Sequence, residues 1–253
     1  MGKNKLARFA DNKSFNHVFE PDFAAISADK FKQKGKWNLF FKNGNPIVLE
    51  LGCGKGEYTI GLAELYPDKN FIGIDLKGAR LWVGAKYAIE NKLDNVAFIR
   101  ARVEYVDSLF AENEVSEIWI TFPDPQNKKR KKRLTYPRFL SIYNKILQEK
   151  GSLHLKTDAY KLHLYTLSLV KKNKLTLIQE TSDLYHSDIL NEELQINTFY
   201  ESLFLEKDLP INYLQFLLDT DAFEDSDFDE DAVADSFAKI PHDRKVRPSK
   251  LTQ

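Results

Sequence analysis

A glycine-rich turn is the first segment whose residues are suited to binding a cofactor. Gly52, Gly54 and Gly56 directly follow a short apolar run that contains Glu50. Glycine permits a sharp turn at the end of a strand and lets a ligand approach backbone atoms. A dinucleotide-binding turn has its third glycine where Glu57 stands here, and it holds a pyrophosphate. S-adenosylmethionine lacks a pyrophosphate but carries an ammonium and a sulfonium that Glu50 can attract, so the turn favours this cofactor.

Two further carboxylates extend this candidate site. Asp75 ends the next apolar run, about 20 residues downstream, where an acid can accept hydrogen bonds from both ribose hydroxyls. Asp124 stands between Pro123 and Pro125 after another apolar run, so two prolines restrict the backbone around its carboxylate. Pro-Asp-Pro is also good turn chemistry, which is the alternative explanation. Cys53 is interpreted as a small space-filling side chain rather than a nucleophile, because no histidine lies near it in the sequence.

Charge is strongly segregated in this chain of 253 residues, although 37 Lys and Arg balance 37 Asp and Glu. Residues 1–36 carry eight basic and four acidic side chains, and residues 128–133 are six consecutive bases. Residues 219–235 carry nine acids and no base. A charge run is often only a solvated face. Because the run at 128–133 begins three residues after Pro125, it predicts a surface for a polyanion such as nucleic acid beside the candidate site.

From residue 47 onward, short apolar runs alternate with segments of helical periodicity, which is typical of βα units. A parallel sheet with helices on both faces is therefore predicted, and its carboxyl edge collects Glu50, Asp75 and Asp124. The predicted strands are 47–51, 70–75, 96–100, 117–122, 152–156, 176–180 and 211–218, and the predicted helices include 78–91, 135–148, 159–171 and 198–207.

The chain is expected to have three parts: a basic N-terminal arm at 1–44, a catalytic domain at 45–218, and a tail at 219–253 that is acidic and then basic. Acidic residues so closely spaced cannot bury enough apolar area to offset the entropy of ordering, so the tail is predicted to be largely disordered.

The cellular environment is predicted from what the composition lacks. One cysteine excludes an intrachain disulfide. No apolar stretch approaches the ~18 to 20 residues needed to cross a bilayer, and the first residues lack the apolar segment of a secretory signal. We expect a soluble, cytoplasmic protein that does not bind membranes, and both a monomer and a homodimer fit the sequence.

Five motifs occur in one order along the chain. They are Glu50 with the glycine turn, Asp75, the segment 122–125 with Lys128 and Arg130, the segment 155–158, and the segment 198–201. The combination resembles the bacterial tRNA (guanine-N7)-methyltransferases over roughly residues 45–218. The resemblance implies an α/β, Rossmann-like class I methyltransferase sheet that is mostly parallel with a final antiparallel strand. It also implies methyl transfer from S-adenosylmethionine to N7 of a guanine in tRNA, in the variable loop.

The resemblance also implies a role for each matching residue. Asp124 corresponds to the catalytic acid and also lies by the cofactor, and Arg102 falls nearest to the position of an adenine-side acid. Asp158 has an alternative interpretation as a helix N-cap, and Thr198 with Glu201 fits a capping box. The implied cofactor contacts are Glu50, Gly52, Gly54, Gly56, Asp75, Arg102 and Asp124, and the implied substrate contacts are Lys128, Arg130, Asp158, Thr198 and Glu201.

The sequence departs from the family pattern at three positions. Gln126 stands where the family has tryptophan, Lys131 where it has histidine, and Arg102 where it has an acid. The basic loop is also slightly shorter than in the family. These differences lie around the predicted site, so they affect details of adenine and tRNA contact.

Other functions remain possible from the residues alone. A non-enzymatic RNA-binding module uses basic runs but has no need of Glu50, the glycine turn and Asp75 together. A methyltransferase for another RNA or for a small molecule shares the cofactor loop, but a small molecule does not need six consecutive cations beside it. No cluster of cysteines or histidines has the spacing of a metal site, so no metal is expected.

Overall fold

The apolar runs fold into strands and the periodic segments fold into helices, as their spacing predicts. The computed structural model describes residues 3–229. Its helices are α1 (Lys3–Ser14), α2 (Phe23–Ser27), α3 (Trp37–Phe41), α4 (Glu57–Leu65), α5 (Gly78–Glu90), α6 (Val106–Leu109), α7 (Pro137–Ile146), α8 (Tyr160–Lys172) and α9 (Phe199–Leu205). Its strands are β1 (Val18–Phe19), β2 (Ile47–Leu51), β3 (Asn70–Asp75), β4 (Val96–Arg100), β5 (Val115–Thr121), β6 (Leu147–Thr157), β7 (Leu177–Thr181) and β8 (Asn212–Leu217).

The strands form one eight-stranded sheet in the order β1-β4-β3-β2-β5-β6-β8-β7. All neighbours are parallel except β8, which runs antiparallel to both β6 and β7. The predicted fold class, a mostly parallel Rossmann-like sheet with a final antiparallel strand, is confirmed. The strand order reverses between β2 and β5, and ligands of open α/β sheets bind beyond the carboxyl ends of strands at such a point.

Two hydrophobic cores cover the two faces of the sheet. One contains Trp37 and Tyr143 from α3 and α7, and the other contains Tyr58 from α4. Consecutive residues of β5, Ile118 and Trp119, enter opposite cores and are both fully buried. Successive side chains of a strand point to opposite faces, so β5 is apolar on both sides and holds its carboxyl end firmly in place.

The predicted bounds are most accurate on one side of the sheet. The predicted strands 47–51, 70–75 and 96–100 coincide with β2, β3 and β4. On the other side, β6 begins directly where α7 ends, so the strand is longer and the helix shorter than predicted. Helix α7 starts at Pro137, whose missing N–H is not needed at the first helical position.

Parts of the predicted arm and tail pack with the sheet. Val18–Phe19 pairs parallel with β4, and Trp37 is fully buried. Of the tail, residues 219–229 contact the body, and Phe223 and Phe228 pack against the core that contains Trp37. Residues 230–253 lie outside the described residues, so the disorder of the tail and the division of the chain into three parts stay predictions.

Candidate active site

The glycine turn lies at the carboxyl ends of β2 and β3. The N–H groups of Gly52 and Cys53 donate to Ile74 O, at 2.8 and 3.1 Å. Gly54 N–H donates to Asp75 Oδ2 at 3.0 Å, so the turn is tied to the predicted ribose-binding acid. Gly54 has a φ of +59°, which glycine adopts without strain, and a Cβ built there meets nothing within 4 Å. The space beside Gly54 is therefore open to a ligand.

Glu50 is the fourth residue of β2, and 3% of it is exposed. Its carboxylate accepts hydrogen bonds from Thr59 N–H at 2.9 Å, from the Thr59 hydroxyl, and from the Thr121 hydroxyl at 2.6 Å. Burial raises the pKa of Glu50 to about 7, and these hydrogen bonds limit the rise. Because an arriving cation favours the ionised form, the predicted attraction between Glu50 and the cofactor's ammonium depends on pH.

Cys53 is buried within the turn. Burial raises the pKa of its thiol well above the ordinary value, and the nearby carboxylates of Glu50 and Asp75 raise it further. A thiol that stays protonated is a poor nucleophile, which supports the interpretation of Cys53 as a packing residue.

The residues after β3 and β4 flank the turn on its expected adenosine side. Asp75 Oδ1 accepts a hydrogen bond from Lys77 N–H at 2.7 Å. Leu76 is 55% exposed and offers an apolar surface next to that carboxylate. Arg102 is exposed and pairs with Glu104 at 3.0 Å. Sequence reasoning named Asp75 and Arg102 but missed Leu76, because nothing in the sequence shows that a leucine directly after the apolar strand β3 is exposed.

The Pro-Asp-Pro turn follows β5, and its own conformation is fixed. Asp124 is exposed, and its Oδ1 accepts a hydrogen bond from Gln126 N–H at 3.0 Å. Arg133 Nε donates to Pro125 O at 3.0 Å. Phe122 and Gln126 have φ values of +46° and +48°, a region that residues other than glycine rarely occupy. The turn is held by its neighbours, so the carboxylate of Asp124 is presented from a restrained backbone.

The basic run beside this turn divides into exposed and buried cations. Arg130 is half-buried, with its guanidinium 4.7 Å from the centre of the Tyr165 ring. Arg133 is fully buried, 4.5 Å from the centre of the same ring. Arg133 therefore fixes the loop instead of binding a polyanion, which corrects the expectation that the whole run at 128–133 forms the surface for a polyanion. The exposed members are Lys128, Lys129, Lys131 and Lys132.

A buried ion pair joins the 155–158 and 198–201 motifs. Lys156 Nζ lies 2.7 Å from Glu201 Oε1, and both side chains are 0% exposed. Lys156 Nζ also donates to the carbonyl oxygens of Leu194 at 2.7 Å and Ile196 at 3.1 Å. Burial lowers the pKa of Lys156, and Glu201 opposes that shift. Sequence reasoning did not assign Lys156 a role, although a lysine within an otherwise apolar strand was a signal.

The Thr198–Glu201 segment lies against the cofactor loop. Phe199 N–H donates to Glu57 Oε2 at 3.0 Å, and Lys55 Nζ lies 4.2 Å from the centre of the Phe199 ring. The predicted capping box is present: Thr198 and Glu201 bond to each other's backbone N–H at the start of α9. The structure thus brings together two motifs that are far apart in sequence, while substrate contact by Thr198 and Glu201 stays a prediction.

Asp158 follows β6 at the same edge of the sheet. Helix α8 begins at Tyr160, and its N-cap is Ala159, which has no side-chain cap. Ala159 N–H donates to Thr157 Oγ1 at 3.0 Å instead. Asp158 is therefore not the N-cap, and its predicted substrate contact stays open as a prediction.

The described residues contain neither a cluster of metal ligands nor a membrane-spanning helix. Between residues 3 and 229, no group of three or more His, Cys, Asp or Glu side chains is arranged to hold a metal ion. In the same part of the chain, no helix has both the length and the apolar character required to span a membrane.

The fold matches solved methyltransferases. A 30S ribosomal A1408 methyltransferase from an uncultured bacterium superposes with a TM-score of 0.55 at 19% identity, covering 72% of this chain and 92% of that chain. A family of putative methyltransferases matches residues 44–214. The sheet and the glycine turn thus define a methyltransferase of class I architecture.

Similarity to curated relatives is closer. A tRNA (guanine-N(7)-)-methyltransferase of Bacteroides fragilis is 52% identical over 86% of this chain and 87% of its own length. One from Porphyromonas gingivalis is 48% identical over 92% of this chain and 97% of its own length. The chain belongs to the tRNA (guanine-N7)-methyltransferase family.

Proposed function

We propose that the protein transfers a methyl group from S-adenosylmethionine to N7 of a guanine in tRNA, in the variable loop. One observation carries the proposal: the glycine turn and the restrained Asp124 turn follow the neighbouring parallel strands β2 and β5, and the 198–201 segment bonds to Glu57 beside the glycine turn. Exposed lysines follow directly after the Asp124 turn. Family membership supports the substrate class. We place the activity in the cytoplasm, in keeping with a chain whose one cysteine is a free, buried thiol.

The residues present fit the cofactor. The open space beside Gly54 accepts a ligand against the backbone, and the Asp75 carboxylate can receive ribose hydroxyls. Leu76 offers an apolar surface for the adenine, and Arg102 follows the neighbouring strand β4. Glu50 supplies negative charge for the ammonium. When bound, the cofactor supplies an electrophilic methyl group on a sulfonium.

Guanine N7 has an in-plane lone pair and no proton, so its attack on a methyl group needs no general base. The electrostatic demand is that positive charge appears on the purine ring. A carboxylate fixed beside the ring stabilises that charge, and Asp124 is the exposed carboxylate on the restrained turn. Holding the purine in line with the methyl group supplies the rest of the rate enhancement.

Several cations and acids are assigned to tRNA. Lys128 and Arg130 bind phosphates, and Arg8 and Lys13 bind phosphates at a second place on α1, which packs against α5. Asp158 recognises donor groups on the guanine edge. The Glu201 side chain is fully buried and already bonds to Lys156 and Tyr185. Guanine can therefore contact Glu201 only if a carboxylate oxygen of Glu201 gives up one of these partners.

Methyl transfer to an unmodified tRNA transcript, followed by nucleoside analysis, tests the proposal. Asp124→Asn keeps the shape of the side chain and removes its charge, and we expect the rate to fall about 100-fold or more, the scale of lost electrostatic stabilisation in other enzymes. Asp94→Asn is the matched control, since Asp94 is exposed before β4 at the opposite edge. A product other than 7-methylguanosine, or an unchanged rate in Asp124→Asn with normal tRNA binding, refutes the proposal.

A further inference from the structure

The first described part of the tail returns to the body along α8. Asn173 Nδ2 donates to Glu224 O at 2.9 Å, and Glu224 N–H donates to Asn173 Oδ1 at 2.7 Å. Ser226 is 5% exposed, and its hydroxyl bonds to that of Ser168 at 2.7 Å. These contacts, with Phe223 packed on the core, give residues 223–228 a defined seat despite their charge. We name residues 223–228 the acidic strap.

The acidic strap ends on Arg130, a predicted tRNA contact. Arg130 Nε lies 3.4 Å from Asp225 Oδ1, Nη1 donates to Phe228 O at 3.4 Å, and Nη2 donates to Ser226 O. Tyr165 completes the seat, since its hydroxyl donates to Asp225 Oδ1 at 2.8 Å. The guanidinium thus faces the chain's own acceptors, which are of the kind that a phosphodiester backbone presents.

A second cation, Lys172 at the end of α8, is engaged in the same way. Lys172 Nζ lies 2.7 Å from Asp227 Oδ2 and 3.9 Å from Glu224 Oε2. The hydrogen bond to Asp227 raises the pKa of Lys172. Tyr165 and Lys172 are about 10 Å apart along the axis of α8, given the rise per residue of a helix. Tyr165 itself is fully buried, with Arg130 and Arg133 both packed on its ring, so it positions the cations and does not stack on a base. Arg130 and Lys172 are therefore the two cations that this surface offers to a phosphate backbone.

We propose that Arg130 and Lys172 form a binding surface for the tRNA backbone, and that the acidic strap occupies this surface until tRNA displaces it. The identity of the RNA rests on the proposed function. The surface is close to the chemistry, because Arg133 packs on the same Tyr165 ring and donates to Pro125 O in the Asp124 turn. An RNA must displace the strap here, so every RNA that uses this surface loses affinity by the same factor, and RNAs that already bind weakly no longer bind at ordinary concentrations.

The test neutralises the strap without changing its shape. The variant Glu224→Gln, Asp225→Asn, Asp227→Asn keeps hydrogen-bond acceptors, and we expect its dissociation constant for an unmodified tRNA transcript to fall about three- to tenfold, the effect of two exposed ion pairs. The gain shrinks as salt rises. The control Asp68→Asn, Asp94→Asn, Glu112→Gln makes the same change in net charge at exposed acids before β3, β4 and β5. We expect less than a twofold change in the control.

Lys172→Met, made alone and in the neutralised strap, tests whether strap and RNA share the cation. If strap and RNA compete for Lys172, the substitution weakens RNA binding more in the neutralised-strap variant than in the wild type. In that variant the strap no longer pairs with Lys172, so the RNA binds it without competition. Equal losses in both backgrounds, or equal gains in strap and control variants, overturn the inference. Failure of the proposed function is separate: it appears as absent 7-methylguanosine in the wild-type protein, whatever the strap variants bind. Thermal unfolding confirms that each variant is folded.

Discussion

The cofactor side and the substrate side of the sheet are built by different means. On the cofactor side, between β2 and β4, backbone groups do most of the positioning: the glycine turn bonds to Ile74 O and to Asp75. On the substrate side, beyond β5, side chains from distant segments meet, as Lys156 does with Glu201 and Arg133 with Tyr165. A site built from backbone groups is local, so it can be predicted from the sequence. A site built from side chains of distant segments depends on long-range packing, which the sequence does not show.

The largest expected effect comes from breaking the substrate side at its buried ion pair. Lys156→Met leaves the buried Glu201 without its cation, and we expect a loss of about 3–5 kcal/mol in the free energy of unfolding. Adding Glu201→Gln removes the unpaired charge and recovers at least half of that loss. Denaturant unfolding of both variants measures these values.

The matched control is Lys69→Met, which breaks a partly exposed pair with Glu117 at 3.4 Å and costs less than about 1 kcal/mol. A Lys156→Met loss no larger than that of the control contradicts the account of the substrate side. Cofactor affinity of the folded variant remains near that of the wild type if the two sides are built independently.

Glu50 gives the next largest effect, and its sign depends on pH. Burial raises the pKa of Glu50 to about 7, so the buried neutral form contributes stability below about pH 4.5 that is lost as pH rises through 7. Glu50→Gln does not ionise, so its free energy of unfolding lacks this loss. We expect the difference in free energy of unfolding, variant minus wild type, to grow by about 2 kcal/mol from pH 5 to pH 8, measured by denaturant unfolding at each pH.

Cofactor binding is the counterpart of that measurement. Affinity of the wild type for S-adenosylmethionine rises over the same pH range as Glu50 ionises, and it is weaker and flat in Glu50→Gln. A variant that tracks the wild type at every pH contradicts both the burial cost and the proposed attraction.

The two sides also differ in what the sequence predicted. Glu50, the glycines and Asp75 follow from strand ends and turn chemistry, and the bounds of β2, β3 and β4 were correct. The burial of Arg133 within six consecutive bases was not predictable from the sequence. Its partners, the Tyr165 ring and the Pro125 carbonyl oxygen, come together only in the folded chain. The contacts of residues 219–229 were missed for the same reason, since composition gives no register for tertiary packing.

A smaller effect sharpens the cofactor side. Gly54→Ala places a Cβ in open space at a φ of +59°, so the cost is backbone strain of about 1 kcal/mol together with a steric obstacle to the ligand. We expect cofactor affinity to fall about tenfold or more, while the free energy of unfolding falls by only the strain of about 1 kcal/mol. Gly44→Ala is the control, because its Cβ also meets nothing and Gly44 is not left-handed. Equal affinities in the two variants, measured by calorimetry, contradict a ligand beside Gly54.

The smallest effect is expected at Arg102. This residue tests whether a side chain near the expected adenine position also contacts the adenine. Its pair with Glu104 at 3.0 Å is exposed, so Arg102→Ala changes the free energy of unfolding by less than about 1 kcal/mol. If the adenine is held mainly by Leu76 and the backbone, cofactor affinity also changes less than about threefold, and Leu76→Asp weakens it far more. A loss at Arg102 that exceeds the loss at Leu76, in the same calorimetric titration, places the adenine contact on the guanidinium. That outcome makes the cofactor side depend on a side chain as well, and the contrast between the two sides narrows.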